Sequence, residues 1–152
     1  MNKTNNDNSH QYLNTESFPD IVLTLYDFEN DMEYNRLIRN LDSLLEYKEP
    51  FNILVETIHV RAMKMKYLYS IGKYINSISS NEHLQLKKVT INVYDMLNFN
   101  IMSTLFRFIA KPVSHVYIVL YDGGYNYVDG ARSIKKTNTF LPISKKNNSN
   151  IL

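Results

Sequence analysis

A chain of 152 residues, 44% hydrophobic and 21% charged, carries enough apolar material for one globular domain. The absence of cysteine excludes a disulfide framework, a thiolate nucleophile and cysteine-based zinc or iron–sulfur sites. A formal charge of +2 gives no argument for a nucleic-acid binder, and no stretch approaches the roughly 18 apolar residues of a membrane span. The first twenty residues lack the apolar core of a signal peptide, so the expectation is a soluble, cytoplasmic, single-domain protein.

Residues 1–18 are polar and rich in Asn, without helical or strand period, and read as a disordered lead-in. After Pro19 the alternation Ile21-Val22-Leu23-Thr24-Leu25-Tyr26 predicts a strand with one buried face. Asn30, with Glu33 three residues on, is a helix N-cap signal close to a capping box. Tyr34, Leu37, Ile38, Leu41, Leu44 and Leu45 then recur at helical spacing until Glu49-Pro50 ends the run. Phe51 to His59 reads as a second strand. Arg61 to Lys66 forms a basic connection into a helix whose stripe is Leu68, Ile71, Ile75 and Ile78. Gly72 interrupts that helix, a choice that close approach of the helix to the sheet would explain.

Val89-Thr90-Ile91-Asn92-Val93-Tyr94 alternates without a slip and predicts the third strand. A third helix is expected over about Asn98 to Ala110, with Leu97, Ile101, Leu105, Phe108 and Ile109 turned inward. His115 to Tyr121 is the fourth strand. Asp122-Gly123-Gly124 marks a turn, after which Tyr125–Val128 can return as a short antiparallel edge strand. Residues 19–128 thus make the folded domain, and residues 129–152 a basic polar tail.

The order β-α-β-α-β-α-β, with helix-length connections, implies a mostly parallel, four-stranded α/β sheet with right-handed crossovers. A sheet wound on both faces would be apolar on both. Here the face opposite Ile21, Leu23, Ile53, Ile91 and Ile118 carries Thr24, Tyr26, Asn92, Tyr94, Tyr117 and Tyr121. The sheet is therefore expected to be singly wound, with its helices mainly on one side. A layout of this kind and length resembles the STAS-like superfamily, whose prototype is the bacterial anti-sigma-factor antagonist. The similarity spans about Ile21 to Asp122 and is strongest over Asn30 to Lys48 followed by Phe51-Asn52-Ile53-Leu54-Val55-Glu56. In that superfamily an Asp-Ser pair opens the next helix and its serine is phosphorylated. The matching positions here read Lys64-Met65-Lys66-Tyr67. The resemblance therefore implies protein binding without the phosphoswitch.

The tyrosine-rich face suggests an interface built from Thr24, Tyr26, Asn92, Tyr94, Tyr117 and Tyr121, because tyrosine offers large apolar area with a polar tip. Self-coverage of that face by the chain's own ends is the bland counterpart. Two further readings compete. Asp27, Asp95 and Asp122 each follow a Tyr at the end of a strand, at the edge where α/β sheets bind ligands, and would suit a Mg²⁺-dependent enzyme or ligand-binding module. Ordinary helix-start electrostatics accounts for them equally well. Arg61, Lys64 and Lys66 lie beside Tyr67 and Tyr69 as a phosphate-binding patch for nucleic acid would, although the near-neutral total charge weighs against it. No nucleophile elbow, dinucleotide fingerprint or P-loop occurs. The sequence reading is a non-catalytic interaction domain without a cofactor, binding a protein partner or a second copy of itself.

Overall fold

The computed structural model describes residues 11–111 and 114–121, together with the backbone of the strands at 125–128, 131–134 and 140–143. In chain order the elements are β1 (Leu13–Asn14), β2 (Asp20–Tyr26), α1 (Asp31–Leu44), β3 (Phe51–His59), α2 (Met65–Ile78), β4 (Leu86–Val93) and α3 (Met96–Thr104). A π-helical turn (Leu105–Ile109) extends α3, and β5 (His115–Leu120), β6 (Tyr125–Val128), β7 (Ala131–Ile134) and β8 (Phe140–Ile143) follow. The main sheet has six strands in the order β1-β2-β3-β4-β5-β8. The four central strands are parallel and lie side by side in chain order. The outer two are antiparallel to their neighbours.

This α/β sheet corrects the sequence expectation at both edges. Leu13 and Asn14 pair with Leu23 and Val22, so the lead-in joins the fold from residue 11 onward. Tyr12 shows why: its ring is 2% exposed, packed edge-on to Tyr26 and tilted against Phe28. Tyr125–Val128 does not return to the sheet but forms a separate two-stranded ladder with Ala131–Ile134. The antiparallel edge is instead β8, inside the stretch expected to be a polar tail. Strands of two to four residues hold at most two turns of the alternating pattern, too few to stand out by period.

Within the sheet the alternation works as expected. Ile21, Leu23, Leu25, Phe51, Ile53, Val55, Ile91, Val93, Val116, Ile118 and Leu120 are all buried. Leu37 and Leu44 of α1, Leu68 of α2, and Met102, Leu105 and Phe106 of α3 and its extension share that core. Side chains from all three helices and from one sheet face line a common apolar cavity of about 140 Å³.

Local chemistry sets the helix boundaries. The Asn30 side chain accepts from the Glu33 N–H at 3.1 Å, and the Glu33 carboxylate accepts from the Glu29 N–H at 2.8 Å. This is the capping-box exchange, displaced by one residue on its return leg. Asp95 caps α3 in the same way, accepting from the Asn98 N–H at 2.7 Å. The end of α3 departs from expectation. The Ala110 N–H bonds to the Leu105 carbonyl at 2.8 Å, an i→i+5 closure. The inward face is set earlier, by Asn98 and Met102, and ordinary helical spacing carries it on to Leu105 and Phe106 and leaves Phe108, expected inward, 70% exposed. Leu97 is likewise exposed, because Asn98 takes the inward position and donates to the Val60 carbonyl at 3.3 Å.

Gly72 is explained by a close approach, although the neighbour is the π-helical turn and not the sheet. A Cβ there would lie 2.6 Å from Ile109 Cγ2 and 3.1 Å from Leu105 Cδ1. Both contacts come from branched side chains with little room to yield. Gly72→Ala gains about 1 kcal/mol of helix propensity and costs about 1–3 kcal/mol in overpacking. We expect a net loss of about 1 kcal/mol in urea unfolding; a more stable variant would show that Ile109 swings aside freely.

Candidate interaction surface

At the carboxyl edge of the sheet the two described aspartates of the expected metal site have structural partners. Asp27 accepts from the backbone N–H groups of Arg61 and Ala62, at 2.9 and 3.1 Å, and so ties the end of β2 to the connection leaving β3. Both Asp95 oxygens are engaged by Asn98, one by its backbone N–H and the other by its side-chain amide at 2.8 Å. Asp122 lies outside the described residues. Among the described residues no three His, Asp or Glu side chains gather as a metal-binding group. Topology points the same way. Ligand crevices in open α/β sheets form where strand order reverses, and β2 to β5 run in one direction without a reversal.

Arg61, Lys64 and Lys66 are all exposed around the start of α2. Lys66 is already paired, its ammonium 3.0 Å from Asp31 and 4.7 Å above the Tyr67 ring. The Tyr67 hydroxyl donates to the same Asp31 oxygen at 2.9 Å. The hydrogen bond from Lys66, then that from Tyr67, holds the Asp31 carboxyl below its ordinary value, and the same bond to Asp31 raises Lys66. The pair is solvent-exposed, with Lys66 at 59% and Asp31 at 73%, and therefore fastens α1 to α2 only weakly. An aromatic group beneath it does more: Phe28 meets Tyr34 and Tyr67 at ring distances of 5.7 and 5.1 Å.

The face turned away from the helices is organised by register into rows. Nearest the amino end, Asp20, Asn52, Lys88 and His115 stand side by side, with the Asn52 amide donating to Asp20 at 2.9 Å. The next row is Val22, Leu54, Thr90 and Tyr117, all partly exposed. The third is Thr24, Glu56, Asn92 and Val119, in which the Asn92 amide reaches Glu56 at 3.4 Å and Asn92 is 8% exposed. At the carboxyl rim the aromatic rings stack in pairs, Tyr26 on His59 at 5.0 Å and Tyr94 on Tyr121 at 5.3 Å.

Of the residues expected on this surface, Thr24 and Asn92 fall into one row, Tyr117 into the apolar one, and Tyr26, Tyr94 and Tyr121 into the aromatic rim. Asn92 is too buried to offer much contact. Sequence reasoning missed Val22, Leu54 and Ile58, apolar residues at the same strand parity as the tyrosines. The signal was present in the alternation, but only register shows that Val22 and Leu54 share a row. Three exposed methionines were missed as well. Met32, Met65 and Met96 sit at or next to the first residue of the three helices, at 73%, 66% and 51% exposure.

The site yields two predictions. Removing the cap by Asp95→Ala should cost about 1 kcal/mol of stability, equally in Mg²⁺ and in a chelator; a loss confined to Mg²⁺ would restore the metal reading. Carboxyl NMR should place the Asp31 midpoint below 3.8, returning toward that value in Lys66→Ala. Because the folded-state value is depressed, the small stabilisation from this pair holds above the unfolded aspartate value and fades as pH falls through the folded one. Among the described residues no helix is long and apolar enough to cross a membrane. Comparison with protein-family models, with curated proteins and with solved structures gives no match to this chain.

Proposed function

We propose that the chain is a non-catalytic interaction domain with a STAS-like layout, which binds a second copy of itself or another protein through the sheet face opposite the helices. The observation that carries this reading is the row Val22, Leu54, Thr90 and Tyr117, running across four strands between two polar rows. With strands about 4.8 Å apart, that row is roughly 14 Å long. An apolar strip bordered by hydrogen-bonding groups is the arrangement of a protein interface, with a dry centre and a polar rim. Tyr117 supplies the large amphipathic side chain that such centres favour.

Of the carboxylates expected to serve a metal-dependent reaction, the two described, Asp95 and Asp27, cap a helix and tie a loop, which favours binding as the chemistry. The basic residues at the start of α2 are divided between solvent and the Asp31 pair, and they take the part of a solvated helix start. The phosphoswitch of the resembled superfamily has no counterpart here, since Lys64 to Tyr67 offer no serine or threonine.

Light scattering behind size exclusion, from micromolar to several hundred micromolar protein, tests the surface. Association is expected to be lost in Leu54→Lys and weakened in Tyr117→Ala, while circular-dichroism melts of both variants stay near wild type. Variants that associate as wild type does would remove this face as the interface. A wild-type monomer at every concentration would remove self-association and leave another protein as the occupant.

A further inference from the structure

The cavity beneath the helices has the chemistry of a ligand site. Its walls come from Leu41 and Leu44 of α1, Ile71 and Ile75 of α2, and Val89 and Ile91 of β4, among other aliphatic side chains. The polar groups that border it are already bonded. The Tyr74 hydroxyl donates to Asp42 at 2.7 Å, the Ser79 hydroxyl to the Ile75 carbonyl at 2.6 Å, and the Ser114 hydroxyl to the Leu86 carbonyl at 3.0 Å. Water needs two to four polar partners to occupy a buried space, and these hydroxyls have spent their protons elsewhere. The space is therefore dry, and at about 140 Å³ it is close to the size of apolar cavities that take up a single benzene or a xenon atom.

There is also a route in. Leu41, Leu45, Ile71, Ile75 and Ile78 of the α1–α2 side line the cavity yet remain only partly buried, as do Leu84, Leu86 and Val89, so the space is not sealed from solvent. The Tyr74–Asp42 hydrogen bond is a polar link between the carboxyl halves of the two helices, and Tyr74 is itself part of the cavity wall. Loss of one hydrogen bond and rotation of one side chain would open the passage without unfolding either helix. Burial and the Asp42 carboxylate both push the Tyr74 phenol above its ordinary value, so it stays protonated and able to donate across the physiological range.

We propose that this cavity is a binding site for a small uncharged apolar molecule of about benzene size, admitted between α1 and α2 past Tyr74. A charged headgroup does not suit the interior, because among the described residues no cation lines the space and the bordering hydroxyls are engaged. The site is independent of the sheet face on the other side of the molecule.

The test is a titration of the full chain with benzene, followed by methyl NMR, with n-octanoate as the charged counterpart. Benzene is expected to cause saturable shifts confined to methyls such as those of Leu44, Ile75 and Ile91. It should raise the melting temperature by roughly 2–6 °C at tenfold excess over Kd. Ile75→Phe, which fills the space, should abolish the shifts while melting at or above the wild-type temperature. Shifts that do not saturate, or a melting temperature that only falls, would overturn the proposal. So would benzene binding undiminished in a folded Ile75→Phe variant. Octanoate binding as tightly as benzene would overturn the uncharged class of ligand. Should Ile75→Phe fail to fold, the wild-type titration decides alone.

Discussion

The strand order constrains everything else in this molecule. Each central strand lies beside the one before it, and right-handed crossovers between adjacent parallel strands all pass on the same side. The three helices are thereby stacked over Ile21, Leu23, Ile53, Ile91 and Val116, and no described helix covers the other face. A reversal of direction anywhere in the sheet would have sent a helix to the second face and opened a crevice at the carboxyl edge. Neither happens here. The two surfaces of interest, a flat row on the sheet and a cavity under the helices, both follow from that single winding.

The consequences differ on the two sides. On the helical side two amphipathic helices, α1 and α2, and the broadly apolar α3 must cover four strands. Near the carboxyl edge α1 and α2 are held together by the Phe28, Tyr34 and Tyr67 rings and farther along by the Tyr74–Asp42 bond. Between those fastenings α1 and α2 stand apart enough to leave a void lined by leucine and isoleucine. Contact is tightest where α2 meets the end of α3, and there the chain dispenses with a side chain at Gly72. Packing is thus close on the side of α2 that faces the π-helical turn and open along its flank facing α1.

How much could be read from the residues depended on whether the governing interaction was local. The β2 and β3 alternations and the Asn30 cap involve neighbours within a few positions and were legible, whereas α1 ends at Leu44, short of the stop expected at Glu49-Pro50. The winding on one face was legible too, because a polar set recurs at one parity in four separate runs. Phe108 was misplaced because the inward face of α3 is set by Asn98 and Met102, one residue later than the Leu97 and Ile101 that hydropathy favours. The edge strands β1 and β8 escaped notice because two or four residues cannot establish a period. Asp27 illustrates a different failure. Its position at a strand end suggested chemistry, whereas its partners are the N–H groups of Arg61 and Ala62, 34 and 35 residues away, which no local pattern encodes. The Val22–Leu54 row needed register, a property of pairs of strands.

The same neighbour-by-neighbour order governs how the sheet can be assembled. Every central strand finds its partner in the segment synthesised immediately before it, with one helix between them. Growth can therefore begin at β2 and add one βα unit at a time, each docking on a surface already formed. No early strand has to wait for a distant one, and the separation that must be closed at each step stays that of a single unit. A nascent chain of this design shields the edge of β2 with β1 from the outset, while the opposite, growing edge passes from strand to strand until β8 covers it. The transient hazard of an unpaired parallel edge is thus confined to one side of the molecule and to the time needed to make the next unit.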